Sequence, residues 1–168
     1  MGAAGVEQAA QYLTFRLGEE VFALDIAQVR EVLDYTAITR VPRMPDFMRG
    51  VINLRGSVVP VVDLRLKFGM AATERTVNTC IIIAEVALEG ERSVLGALAD
   101  SVQEVIDLEA SQIEPSPRLG SSIRADFIRG MGKHNERFQI ILDFDRVFSA
   151  DELALVKGSG AEQQAAAC

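Results

Sequence analysis

The outline of this chain occurs twice, and that limits its fold more than any other feature. Phe47-Met-Arg-Gly50 is answered by Phe127-Ile-Arg-Gly130, and Asp63 by Asp143, each 80 positions on (127 − 47; 143 − 63). Val29-Arg-Glu-Val-Leu33 is echoed by Val102-Gln-Glu-Val-Ile106, and Pro42 by Pro115, at a spacing of 73 (102 − 29; 115 − 42). The change of spacing puts seven extra residues (80 − 73) between Pro115 and Phe127, where Arg118 to Ser122 reads as loop. Such a chain is expected to form two similar units packed together.

Each unit reads as short strands. Leu13, Phe15 and Leu17 alternate with Thr14 and Arg16, and Phe22, Leu24 and Ile26 share a face after the Gly18-Glu-Glu20 turn; this is a hairpin signal. Val29 to Tyr35 reads as a strand with Glu31 exposed, its alternative being a short helix, and Ile38 to Val41 is extended ahead of Pro42. Asp46 is placed to cap a helical turn over Phe47-Met48-Arg49 that Gly50 ends. Strands Val51–Leu54 and Ser57–Val62 then flank an Arg55-Gly56 turn. The second of these has no polar face, so both its sides are covered, and Pro60 inside it implies an edge or a bulge. Asp63 and Gly69 bracket a short helix. Thr79–Val86 and Arg92–Ala99 form a hairpin that restarts the pattern, and Ser149-Ala-Asp-Glu152 is a capping box opening a C-terminal helix that Gly158 ends. The fold expected is mainly β, a pair of small antiparallel barrels sharing a hydrophobic core, with a few short helices. The division falls at about 19–78 and 79–148 within a domain spanning 11–157, the first strand or last helix being free to cross over; 1–10 and 158–168 read as flexible tails.

A chain of 168 residues buries about 70% of its unfolded surface and needs no staples. Its net charge of −7 argues against nucleic acid and against a basic membrane-binding patch. No apolar run approaches the roughly 20 residues that span a bilayer, and Met1 to Gln11 lacks the pattern of a signal peptide. Cys80 sits in an apolar run and Cys168 at the end of the tail, too few thiols for a disulfide framework, so the cytoplasm is the expected compartment.

Catalytic chemistry finds few parts. The single histidine, His134, falls in a polar turn that reads as an exposed loop. Gly130-Met-Gly-Lys133 lacks the leading glycine and the following Ser or Thr of a phosphate loop. Asp63 and Asp143 open helices at matching places and read as caps, not as a reacting pair. No His/Cys cluster has metal-ligand spacing, so neither enzyme chemistry nor a cofactor is expected.

The duplication offers a sharper test, because what recurs belongs to the fold and what does not is free to serve function. Asn53-Leu-Arg-Gly56 aligns with Lys133-His-Asn-Glu136 and so is unique to the first copy. Gly56 permits positive φ, which pushes Arg55 into solvent as a candidate partner contact. The apolar residues Ile26, Val29 and Val32, with Ala99, Val102 and Val105, either belong to the core or line a groove between the barrels fit for an apolar helix.

The run from Phe47 through Val-Ile-Asn53-Leu-Arg-Gly56 and Val58-Val-Pro-Val-Val-Asp63 to Leu64 resembles the signature of CheW-type chemotaxis coupling proteins. Gln28-Val-Arg-Glu-Val32, Ile113-Glu-Pro-Ser-Pro117 and Ile140-Ile-Leu-Asp143 agree, and the likeness covers about Gln11 to Val156. The resemblance implies two intertwined five-stranded SH3-like barrels and a non-catalytic adaptor, monomeric when isolated, joining chemoreceptor tips to the regulatory domain of the CheA histidine kinase. On that resemblance Leu13, Ile26, Val29, Glu31, Val32 and Val102 would take the receptor helix. Asn53, Arg55, Gly56 and Val58 would meet the kinase. Which of the two partners Glu31 and Arg55 serve stays open. A paralogous adaptor of a pilus or surface-sensing system, and a small-molecule sensor using the inter-barrel cleft, are the alternatives.

Overall fold

The structure is a computed structural model that describes residues 10–88, 90–115, 125–149 and 151–154. The expected loop at Arg118–Ser122, the helix end at Gly158, the tail 158–168 with Cys168, and the leader except Ala10, which begins a strand, lie outside the described residues.

Among the described residues eleven strands form two sheets: β1 (Ala10–Leu17), β2 (Glu20–Asp25), β3 (Val29–Asp34), β4 (Met48–Leu54), β5 (Ser57–Asp63), β6 (Cys80–Leu88), β7 (Glu91–Ala99), β8 (Ser101–Leu108), β9 (Ile113–Glu114), β10 (Ile128–His134) and β11 (Arg137–Leu142). The first barrel has the order β3-β6-β7-β5-β4 and the second β8-β1-β2-β11-β10-β9. The sheets do not follow the expected division near residue 79. Hairpin β1–β2 joins the strands of the second copy and β6–β7 those of the first, so whole hairpins are exchanged. Val29–Asp34 is strand, which disposes of the helical alternative, whereas Ile26 leaves β2 for a 3-10 turn, Ile26–Gln28, capped by the Asp25 carboxylate.

The repeat is visible in the ladders. Gly50 pairs with Val61 and Ile52 with Val59; 80 positions on, Gly130 pairs with Ile141 and Gly132 with Gln139. Both ladders carry a bulge, after Met48 and after Ile128. The Asp63 and Asp143 N–H groups donate to the Phe47 and Phe127 carbonyls at 2.6 and 2.8 Å. Across the junction the Phe47 ring meets that of Phe148 with centroids 5.5 Å apart and planes tilted by 37°, and its counterpart Phe127 meets Phe68 at 5.8 Å and 39°. These two contacts are related by the repeat, so the copies meet about a local two-fold axis.

Strand alternation explains the absence of a polar face. Val61, Ile81, Ile83 and Leu98 point into the first barrel. Their neighbours Val62, Ile82 and Ala84 point into a core shared with Phe22, Leu24, Ile140 and Leu142 of the other sheet. Tyr12, Ala23, Ile106, Leu108 and Ile141 fill the second barrel. β5 lies inside the sheet and Pro60 lies outside the bulge, but on its nitrogen side the strand is locally an edge. Val51 spends its N–H and carbonyl on Thr39, which makes Val51–Pro60 a non-hydrogen-bonded pair, and pairing with β7 begins only at Val61. No ladder therefore misses the proline's N–H.

In place of the expected helical turn at Phe47-Met48-Arg49, Phe47 ends a turn in which the Met48 N–H donates to the Pro45 carbonyl at 2.9 Å, and Met48 and Arg49 begin β4. Gly50 has φ +146, and a Cβ there would sit 2.1 Å from the Thr39 carbonyl oxygen. At Gly130 a Cβ would come within 2.8 Å of the Glu114 carbonyl oxygen. The fold needs both glycines because a neighbouring strand crosses there, not to stop a helix.

Asp63 caps α1 (Leu64–Lys67) as expected, its Oδ1 accepting from the Arg65 N–H at 3.0 Å, and Gly69 follows at φ +80. Asp143 precedes α2 (Phe144–Val147) but makes no side-chain cap; it turns to Arg146 at 3.5 Å. The Ser149 capping box holds: Ser149 Oγ accepts the Glu152 N–H at 3.1 Å, and the Ser149 N–H donates to Glu152 at 2.9 Å.

Candidate functional site

The turn singled out by the repeat closes one corner of the first barrel. Arg55 and Gly56 have φ of 53° and 89°, the left-handed pair of a type I′ turn that matches strand twist. The Asn53 side-chain oxygen accepts the Gly56 N–H at 2.9 Å and braces the turn. A Cβ on Gly56 would meet nothing within 4 Å, so glycine is there for its φ alone.

Arg55 does not stand free. Its two terminal nitrogens donate to the two Glu31 carboxylate oxygens, both at 2.7 Å, in a bidentate pair that ties the β4–β5 turn to β3. The arginine's hydrogen bond is the main cause holding the Glu31 carboxyl below its ordinary range, and the same bond raises Arg55. Arg55 still exposes 69% of its side chain. Glu31 and Arg55, placed on different partner surfaces by resemblance, are one feature. Beside it, Val32 is 39% exposed, Val58 is half-buried, and Arg30 pairs with Glu85 at 3.2 Å.

The apolar candidates divide. Ile26, Val29 and Val102 are half-buried and pack on the shared core, forming its outer fringe. Leu13 is only 6% exposed and belongs to that core, so it supports the fringe from beneath. Val105, the repeat of Val32, is likewise exposed, at 46%. Cys80 is half-buried beside Val102, and burial pushes its thiol up.

Three groupings escaped the sequence reading. Asp63, fully buried, takes Arg49 at 2.9 Å, the Thr73 N–H at 2.9 Å and the Thr73 hydroxyl at 2.8 Å in addition to its cap. Lys67 donates to Glu152 at 2.7 Å and lies over the rings of Phe47, Phe127 and Phe148, 5.1 to 5.8 Å from their centroids. His134, expected in an exposed loop, is half-buried at the end of β10 and lines a polar cavity in the mouth of the second barrel. Only the spacing of the repeat hinted at these, since each joins residues far apart in sequence. Among the described residues no group of three or more His, Cys, Asp and Glu side chains could hold a metal ion, and no helix is long and apolar enough to cross a membrane.

Paired small barrels sharing one core, with an ion-paired turn and a fringe of apolar side chains, define a double SH3-like barrel module whose distinctive chemistry lies at its surface. Residues 11–152 match the CheW-like domain, and the chain belongs to that family. It is 37% identical over 153 residues to the chemotaxis protein CheW of Klebsiella aerogenes, covering 91% of this chain and 90% of that one. The CheW of Rhizobium meliloti is 35% identical over 142 residues, 84% of this chain and 89% of its own. Among solved structures, the scaffolding protein TtCheW from Thermoanaerobacter tengcongensis superposes with a TM-score of 0.75 at 34% identity, covering 86% of this chain and 91% of that one.

Proposed function

We propose that this chain is a non-catalytic adaptor that couples chemoreceptors to the CheA histidine kinase within a cytoplasmic signalling array at the inner face of the membrane. Family membership supports the chemotaxis setting. The observation that carries the reading is the Glu31–Arg55 pair: a rigid, charged, exposed turn that the fold does not need, because its second copy lacks it. Arginine pre-organised in this way loses little entropy on binding and suits an interface anchor.

On this reading the turn, with Asn53, Gly56 and the flanking Val58, meets a related barrel of the kinase. The receptor's helical tip lies along Ile26, Val29, Val32 and Val102, with Leu13 holding that surface from below. Glu31 joins the two surfaces, so receptor and kinase would press on opposite ends of one ion pair. The adaptor would act by binding energy alone, placing the kinase rather than changing any bond.

The test is kinase autophosphorylation with purified CheA and a chemoreceptor signalling fragment, with and without this protein. A ternary complex with raised phosphorylation supports the proposal; no complex and unchanged activity defeats it.

A further inference from the structure

We infer that the mouth of the second barrel is a docking site for an arginine side chain presented by a partner protein. The first barrel shows what the occupant looks like. There Glu31 and the turn arginine Arg55 meet over an apolar interior that includes Val59, Ile83, Leu54 and Val94. The repeat sets Glu104 for Glu31 (104 − 31 = 73) and Asn135 for Arg55 (135 − 55 = 80). The β10–β11 turn keeps the same backbone: Asn135 and Glu136 have φ of 52° and 64°. Only the guanidinium is missing.

The space it would fill is open. A cavity of about 350 Å³ lies between Glu104 and the turn, bordered also by Arg16, His134, Arg137 and Gln139. Three of these four apolar positions are polar here, while Val21 stands for Val94 and stays apolar. Gln139 stands for Val59 and His134 for Leu54, while Thr14 stands for Ile83, each facing the strand residue (Ala23 or Gly96) that pairs with the parallel neighbour. Gln139 is 7% exposed, and its Oε1 has no hydrogen-bond donor. Among the described residues no side chain pairs with the Glu104 carboxylate, while its backbone is fixed on both sides by Thr14, at 2.8 and 3.2 Å. A buried acceptor and an unpaired carboxylate around one cavity call for a group with several donors. Arg16 and Arg137 also border the cavity, Arg16 donating to the Gly18 carbonyl at 3.4 Å, and Glu19 adds a second carboxylate to the lining. An exposed aromatic, Phe138, adjoins the turn and gives a protein partner apolar contact that free arginine could not use. This site is independent of which surface the kinase takes.

The test follows backbone and side-chain amide signals of the isotope-labelled full chain during titration with N-acetyl-L-arginine amide. Saturable shifts are expected at Asn135, Glu136 and the Gln139 side chain, with half-saturation at least tenfold lower than for the neutral citrulline analogue. Asn135→Arg supplies the chain's own guanidinium and should weaken the response at least tenfold, as should Glu104→Gln. No saturable shift, an equal response to citrulline, a stronger one to N-acetyl-L-aspartate, or a response retained in either variant would overturn the inference. Tenfold tighter binding of free L-arginine than of its blocked form would make the ligand an amino acid and also defeat the docking role.

Discussion

The two barrels carry the same turn in nearly the same backbone conformation but finish it with different chemistry. In the first, Arg55 reaches back to Glu31 and an apolar interior lies below; in the second, Asn135 leaves Glu104 unmet over a polar mouth. A similar divergence appears at the helices. Asp63 is buried under four hydrogen bonds, whereas Asp143 has one long contact with Arg146. Lys67 sits in an aromatic box where the second copy has the buried Val147. The difference teaches that duplication preserved backbone crossings and core packing, while polar side chains were free to specialise copy by copy.

The largest expected effect separates the two aspartates. Removing a buried, paired carboxylate costs about 3 to 5 kcal/mol because its partners are left unmet, so Asp63→Ala should lower the melting temperature by on the order of 10 °C. Asp143→Ala should stay within about 0.5 kcal/mol. Similar losses at both sites in thermal melts would erase the contrast.

Next come the mouths. Val59→Gln puts an amide where the first barrel has apolar neighbours and should cost about 2 kcal/mol in urea unfolding. Gln139→Val removes an unpartnered acceptor and should be neutral or stabilising. A large loss from Gln139→Val would mean that the amide is part of the second barrel's structure rather than its opening.

A smaller effect attends Lys67. Lys67→Met keeps the volume but leaves Glu152 without its cation, and about 1 to 2 kcal/mol of stability should go with it. Burial disfavours the Glu152 charge, yet the hydrogen bonds from Lys67 and Ser149 outweigh it and hold the carboxyl below its ordinary range. A group depressed by folding stabilises above its unfolded value, about 4.3, and loses that contribution as pH falls through the folded value. The amide-exchange protection factors of residues 151–154 should therefore fall as the pH drops below about 4, and Lys67→Met should flatten that dependence.

The strands, the hairpins, the repeat and the Asp63 cap could be read from alternation, turn residues and spacing, because all of these are local. Hairpin exchange could not, since β2 pairs with β11 and β5 with β7 across more than thirty residues, and periodicity carries no partner label. The helical turn at Phe47 failed for a related reason: Gly50 answers to the Thr39 carbonyl, a tertiary neighbour, and local rules see only a helix stop. At the candidate site, the exposure of Arg55 followed from the repeat and from Gly56. Its bond to Glu31 did not, because closing a barrel brings β3 to a turn that alternation alone cannot place.

That bond supports the smallest stability prediction and the most direct functional one. A bidentate pair at the surface gains little over hydration of its two ends, so Arg55→Ala should leave the melting temperature nearly unchanged. If the pair exists to hold the guanidinium in place for a partner, the same substitution should sharply weaken assembly with CheA and receptor fragment. Arg55→Lys should rescue it poorly, because an ammonium cannot reproduce the two parallel bonds. Glu31→Gln should fall between, since the arginine keeps its charge but loses its fixed direction. A large thermal loss from Arg55→Ala with binding unchanged would turn the reading around and make the pair a clasp for the first barrel.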